Sequence, residues 1–138
     1  MVFGLATKRL GDKHDAKRKL VRDDLGAADD KITACLEHAF EYYGMGCEPK
    51  RRVELSRMIR YSVQQLSIAV RGANLGLAEI GLGQIGNDKI ISFRQALTFQ
   101  LDSMPPVEME PDDPRITAIY RSGHHLAMAF RKFRYAAT

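Results

Sequence analysis

The side chains with the strongest chemical potential fall in a few places along the 138-residue chain. Gly81-Leu82-Gly83-Gln84-Ile85-Gly86 matches G-x-G-x-x-G. In dinucleotide-binding folds such glycines let the backbone approach a pyrophosphate at a helix N-terminus. Asp102 even lies where a ribose-binding acid would be sought. That chemistry needs a strand before the motif and a parallel sheet around it. Here a helical apolar pattern precedes it and no other segment reads as a strand. The motif is expected to be a structural glycine turn, and no cofactor is expected.

Cys35 and His38 are three apart and would share a helix face, as metal ligands can. Glu41 continues that face and Cys47 follows, but no paired C-x-x-C, H-x-x-x-H or E-x-x-H completes a site. Cys35 also falls on an apolar stripe, which fits a small buried residue better. No metal site is expected. His124 and His125 are adjacent, so on a helix they point about 100° apart and cannot converge on one ligand. There is no G-x-S-x-G and no P-loop, and the carboxylates sit mostly in connections or helix starts, where caps and dipoles account for them. The expectation is a protein that is not an enzyme.

What remains is charge. The formal net charge is +4, and it is distributed in blocks. Lys8 to Arg22 holds seven bases against Asp12 and Asp15, and the next eight residues hold four acids and no base. Asp102 to Asp113 holds five acids and no base, whereas Arg115 to Arg134 holds five bases and no acid. Blocks of this kind make patches, and patches attract partners. The candidate partner- or polyanion-binding residues are Lys17, Arg18, Lys19, Arg22, Lys50, Arg51, Arg52, Lys89, Arg94, Arg131, Lys132 and Arg134. In Phe130-Arg131-Lys132-Phe133-Arg134-Tyr135 the aromatics could stack bases. At helical spacing Phe130 and Phe133 fall on a core stripe instead, and the bases form its rim.

Two readings of this surface follow. The first is a regulatory or adaptor module that engages a protein partner with an acidic surface, with homo-oligomerisation as a further expectation. The alternative is a nucleic-acid-binding protein. Its helix-turn-helix-like segment would span 75–103, and the basic arm would assist. Leu75 to Gly81 would form the first short helix and Asp88 to Ser103 the recognition helix, presenting Lys89, Ser92, Arg94 and Gln95. The turn between them is longer than the usual three or four residues.

The elements that must position these residues read as helices. The centre is Pro49 to Ile80, where Leu55, Ile59, Val63, Leu66, Val70, Ala73 and Leu77 draw one stripe at 3.6-residue period. Pro49 suits the first helical position. Arg52, Arg57, Gln64, Gln65 and Arg71 read as the opposite face, and the helix is expected to end near Gly81 or Gly83. Gly72 and Gly76 are expected to allow close helix contact.

Before it, Val21, Leu25, Ala28, Ile32, Cys35, Ala39 and Tyr42 keep a 3.5-residue period over three heptads, enough to suggest coiled-coil-like packing, across a dimer axis as well as inside the bundle. Asp12 or Asp15 would cap this helix, and Gly44 would end it in a left-handed conformation. Asn87 or Asp88 would cap a third helix running to about Ser103. Asp113-Pro114 reads as an N-cap followed by proline at the first position of a fourth. Its expected stripe is Ile116, Ile119, Tyr120, Gly123, Ala127, Phe130 and Phe133.

The expected fold is all-α, a four-helix antiparallel bundle-like single domain over residues 13–138 with a short basic N-terminal arm over residues 1–12. The 45% apolar content is globular, and no apolar run approaches the roughly 18 residues of a membrane helix. The start lacks a signal-peptide core, and two cysteines make no disulfide framework. The expected location is cytoplasmic.

Overall fold

The computed structural model describes the backbone of residues 2–138 and the side chains of residue 11 and residues 13–138. Four helices account for most of it: α1 (Val2–Tyr43), α2 (Pro49–Glu79), α3 (Asn87–Thr98) and α4 (Pro114–Ala136). The described residues contain no strand, so the fold is all-α, consistent with a helical bundle.

The long helix α1 carries α2 and α4, and α3 packs mainly on α4. All seven residues of its heptad stripe are buried, from Val21 to Tyr42. α2 covers one side of that stripe and α4 the other. The register can be followed along both contacts. Lys17 pairs with Glu79, Val21 lies against Gly76, and Glu41 pairs with Arg51, so α2 runs back along α1. Arg22 reaches Ala137, Gly26 meets Arg134, Asp29 pairs with Arg131, and Leu36 lies against Gly123, so α4 does the same. The seam expected to serve a dimer axis is therefore filled within one chain.

Residues 1–12 were expected to form an arm, with Asp12 or Asp15 capping the helix behind it. From Val2 onward the chain is instead part of α1. Met1 lies outside the described residues. The Ala, Leu, Lys and Arg residues of this run favour helix, against Gly4 and Gly11, each of which weakens it by about 1 kcal/mol. Gly11 and residues 13–17 are exposed.

The α1–α2 connection uses glycine differently from expectation. Gly46 holds the left-handed conformation (φ 77°), and Gly44 does not. Pro49 begins α2 as expected, after an extended Glu48. α2 stops at Glu79, and Gly81 takes a left-handed conformation (φ 76°) beside it. Gly76 permits close packing, since an added Cβ would lie 2.6 Å from Val21 Cγ2. Gly72 does not: its Cβ would meet nothing within 4 Å. The G-x-G-x-x-G segment is a turn, pinned to α2 by Asn74. The Asn74 amide accepts from Ile85 N at 2.7 Å and donates to Ile85 O at 3.2 Å.

α3 ends at Thr98, short of Ser103. The chain then tightens into turns, with Leu101 N donating to Thr98 O and Ser103 N to Gln100 O. Pro105 and Pro106 forbid a helical continuation. Two tyrosines at the end of α1 hold this region. Tyr42 and Tyr43 hydroxyls donate to the Leu101 and Leu97 carbonyls, each at 2.7 Å. Burial pushes the Tyr43 phenol up to about 12, so it stays a donor. Asp113 caps α4 by accepting from Arg115 N at 2.8 Å, with Pro114 at the first position. The α4 stripe is buried as expected at Ile116, Ile119, Gly123, Ala127 and Phe130, while Phe133 is half-buried and Tyr120 stays 45% exposed.

Candidate functional site: the outer face of α2

The sequence-selected basic residues divide into those already engaged and those left free. Arg18 and Arg22 donate to the carbonyls of Thr138 and Ala137 at 3.3 and 3.0 Å. They thereby satisfy acceptors that the end of α4 leaves open, a structural task. Lys17 pairs with Glu79 and Arg131 with Asp29, both at 3.7 Å. Arg51 is held by Glu41 at 2.6 Å and Glu54 at 3.2 Å, and both carboxylates raise its pKa. Arg52, placed by the sequence on an exposed face, is buried at 8% exposure and pairs with Glu108 at 3.4 Å. It is therefore not part of an exposed basic patch. Lys19, Lys50, Lys89, Arg94, Lys132 and Arg134 are exposed.

These residues do not form one surface. Arg18, Arg22 and Arg134 gather where α1 passes the end of α4. Lys50, Arg51 and Arg52 sit at the opposite end of α2 from the turn at Gly81. Lys89 and Lys132 line one shallow cavity between α3 and α4. The segment 75–103 is not a helix-turn-helix in its first half: Leu75 to Glu79 are the last residues of the 31-residue α2, not a separate short helix.

The histidine and cysteine candidates separate too. His124 and His125 are both exposed, with ring centroids 6.5 Å apart. Cys35 is fully buried, and desolvation pushes its thiol up to about 11, against a smaller opposing effect of Lys31. No group of three or more His, Cys, Asp or Glu among the described residues is arranged to hold a metal.

A different feature stands out on α2. Met58, Tyr61, Gln65, Ile68, Gly72 and Leu75 follow one another at three- and four-residue spacing. This is the a/d rhythm of a coiled-coil seam. It lies on the side of α2 away from the core stripe. Tyr61, Ile68 and Leu75, seven residues apart, are 63%, 54% and 66% exposed. Single exposed apolar residues are ordinary, but a seam of them along one helix is not. Arg57 and Arg71 lie one turn from Tyr61 and Ile68, so they flank the seam.

Beside the seam, α3 touches α2 only lightly, which leaves a groove of about 500 Å³. Arg71, Leu75, Asn74, Ile91 and Arg94 line it, and no acidic residue does. Arg57, Arg71 and Arg94 make no ion pair among the described residues. Gly72 completes the seam. A mid-helix glycine costs about 1 kcal/mol relative to alanine, and this one makes room for nothing inside the chain.

Sequence reading singled out Arg94 and named the polar residues of this helix, but it missed the seam. The signal was present: a second 3-4 rhythm offset from the first. It was obscured because Gln65 and Gly72 interrupt its hydrophobicity. No helix among the described residues is long and apolar enough to cross a membrane. No family model, curated protein or solved structure matches the chain.

Proposed function

We propose that the protein is a non-enzymatic binding module, regulatory or adaptor in role, and that its partner is an acidic amphipathic helix of another protein. The observation that carries this reading is the exposed seam of α2 with unpaired arginines on its flank. An amphipathic helix lays its apolar face in such a groove and is read at i, i+3, i+4 and i+7 positions. From Met58 to Leu75 the seam is about 26 Å long at 1.5 Å per residue, or some 18 residues of partner. Gly72 would let the partner backbone come close near one end.

Charge selects the kind of helix. Arg71 and Arg94 have no acidic neighbour in the groove, so glutamates or aspartates beside the partner's apolar stripe complete the interface. A second copy of this chain is a poorer occupant. In an antiparallel pairing of two α2 seams, Arg57 and Arg71 of each copy would approach those of the other.

The test uses a labelled 18-residue helical peptide with leucines at a and d positions and glutamates beside them, and a neutral-flank control, read by fluorescence anisotropy. The acidic peptide should bind, more weakly as salt rises. Ile68→Asp with Leu75→Asp should weaken it at least tenfold, and Arg57→Gln with Arg71→Gln should flatten the salt dependence. Duplex DNA is the competing ligand. The adaptor reading fails if the acidic peptide binds no better than the neutral one. It also fails if a sequence-dependent DNA complex forms that survives competitor and vanishes when Lys89, Arg94 and Gln95 are neutralised.

A further inference from the structure

A second opening, of about 770 Å³, lies at the other end of α2. The first turns of α2 form one wall, and the end of α1 and the 101–108 connection form the others. Its size suits a small organic ligand. Tyr42, Val53, Leu101 and Met104 give it apolar surface, and Arg52 lines it.

Arg52 is the unusual member. Its guanidinium has five N–H donors. Among the described residues it makes one hydrogen bond, from Nη2 to Glu108 Oε1 at 3.4 Å, and its buried Nε has no partner. It lies over the Tyr42 ring, 5.8 Å from the centroid. Glu108 is itself held loosely. The same Oε1 accepts from Gly46 N at 3.4 Å, and its side chain is 41% exposed. A buried charge so sparsely bonded is costly, whereas a carboxylate gripped in bidentate fashion forms shorter, stronger bonds.

The surrounding field also favours an anion. This is the N-terminal, positive end of the α2 dipole, and its first turn carries no acid. The anion that suits Arg52 is one that takes the place of a single carboxylate, that of Glu108. Arg52 and Arg57 line the cavity with Glu108 and Asp102, and Asp102 is already paired with Arg60. A monocarboxylate in place of Glu108 leaves the charge balance at Arg52 unchanged, and a dianion would add one negative charge.

We propose that this cavity binds an apolar monocarboxylate. Its carboxylate accepts hydrogen bonds from the Arg52 guanidinium, and its hydrocarbon part lies against Tyr42, Val53, Leu101 and Met104. Glu108 occupies the carboxylate position in the free protein and swings outward when the ligand enters. The inference does not depend on the helix-docking seam.

Octanoate, 1-octanol and octyl phosphate serve as probes, titrated into the full-length protein by calorimetry near neutral pH. Octanoate should bind saturably, at least tenfold more tightly than either of the others. Glu108→Gln removes the internal competitor and should tighten octanoate about tenfold. Arg52→Gln should reduce octanoate to the affinity of octanol. Equal binding of octanoate and octanol overturns the proposal, as does a Glu108→Gln protein that gains nothing. Should Arg52→Gln fail to fold, the ligand ratio and the Glu108 variant decide the matter alone.

Discussion

Gly72 and Gly76 stand one helical turn apart on α2, and replacing each with alanine should move stability in opposite directions. At Gly72 the new methyl meets nothing within 4 Å. Only the helix propensity changes, and Gly72→Ala should stabilise by about 1 kcal/mol. At Gly76 the methyl would lie 2.6 Å from Val21 Cγ2. Val21 is 2% exposed and β-branched, so it cannot turn aside by an easy rotamer change. Overpacking of this kind costs about 1–3 kcal/mol, which the propensity gain of about 1 kcal/mol only partly offsets. Gly76→Ala should therefore be neutral to about 2 kcal/mol destabilising. The gap between the two variants should be about 1–3 kcal/mol.

Urea denaturation of both, followed by helical circular dichroism, measures that gap. A cycle with Val21→Ala isolates its cause. If the clash is real, Gly76→Ala should cost less in the Val21→Ala background than in the wild type. Equal stabilisation by both alanines would mean that α1 and α2 do not meet at this point, and the register drawn from Lys17–Glu79 would fail with it. Gly72→Ala carries a second expectation: more stability but weaker binding of the acidic peptide, because the seam loses its point of closest approach.

Other expected outcomes follow from single residues. Leu66, 1% exposed at the middle of the core stripe, should cost about 2–5 kcal/mol when cut to alanine, again by urea denaturation. Of the two free cysteines, half-buried Cys47 should react with a thiol reagent in the native protein, and buried Cys35, its thiol pushed up to about 11, only after denaturation. Asp113 should make the α4 start sensitive to acid. Hydrogen bonds from the Arg115 side chain and backbone lower its carboxyl from 3.8 to about 2. The folded state thus favours the ionised form. Its stabilisation is present above the unfolded value and is lost as pH falls from about 4 toward 2. Melting curves of wild type and Asp113→Asn should converge across that window.

The parts of this fold legible in the sequence are those where a local rule and the packing agree. Asp113-Pro114 begins α4, Pro49 begins α2, and both 3.5- and 3.6-residue stripes lie buried where their spacing puts them. The misreadings arise where local chemistry leaves two outcomes open. An aspartate can cap a helix or simply face water within one, and only the neighbouring residues decide, so Asp15 did not mark the start of α1. Gly44 and Gly46 both permit a left-handed turn, and the path into α2 selected the second. Arg52 looked like surface because arginine usually is. Its burial follows from Tyr42 and Glu108, one before it and one 56 residues after, which no helix period connects.

The same limit explains why a candidate interface emerged only with the fold. Taken alone, α2 shows one strong apolar stripe and a second, weaker rhythm that Gln65 and Gly72 interrupt. Its neighbours determine which stripe stays open. α1 covers Leu55 to Leu77, while α3 is short and makes only light contact. Met58, Tyr61, Ile68 and Leu75 are consequently left to solvent. A helix that keeps an apolar seam and an otherwise unused glycine on one open side, with exposed arginines beside them, retains costs in the first two that the isolated chain does not recover. Each becomes favourable once an acidic helix lies along it: the seam is buried, the glycine is approached, and the arginines find carboxylates. Three features of different physical kinds converge on one face of one helix, and solvent alone favours only the arginines, neither the seam nor the glycine.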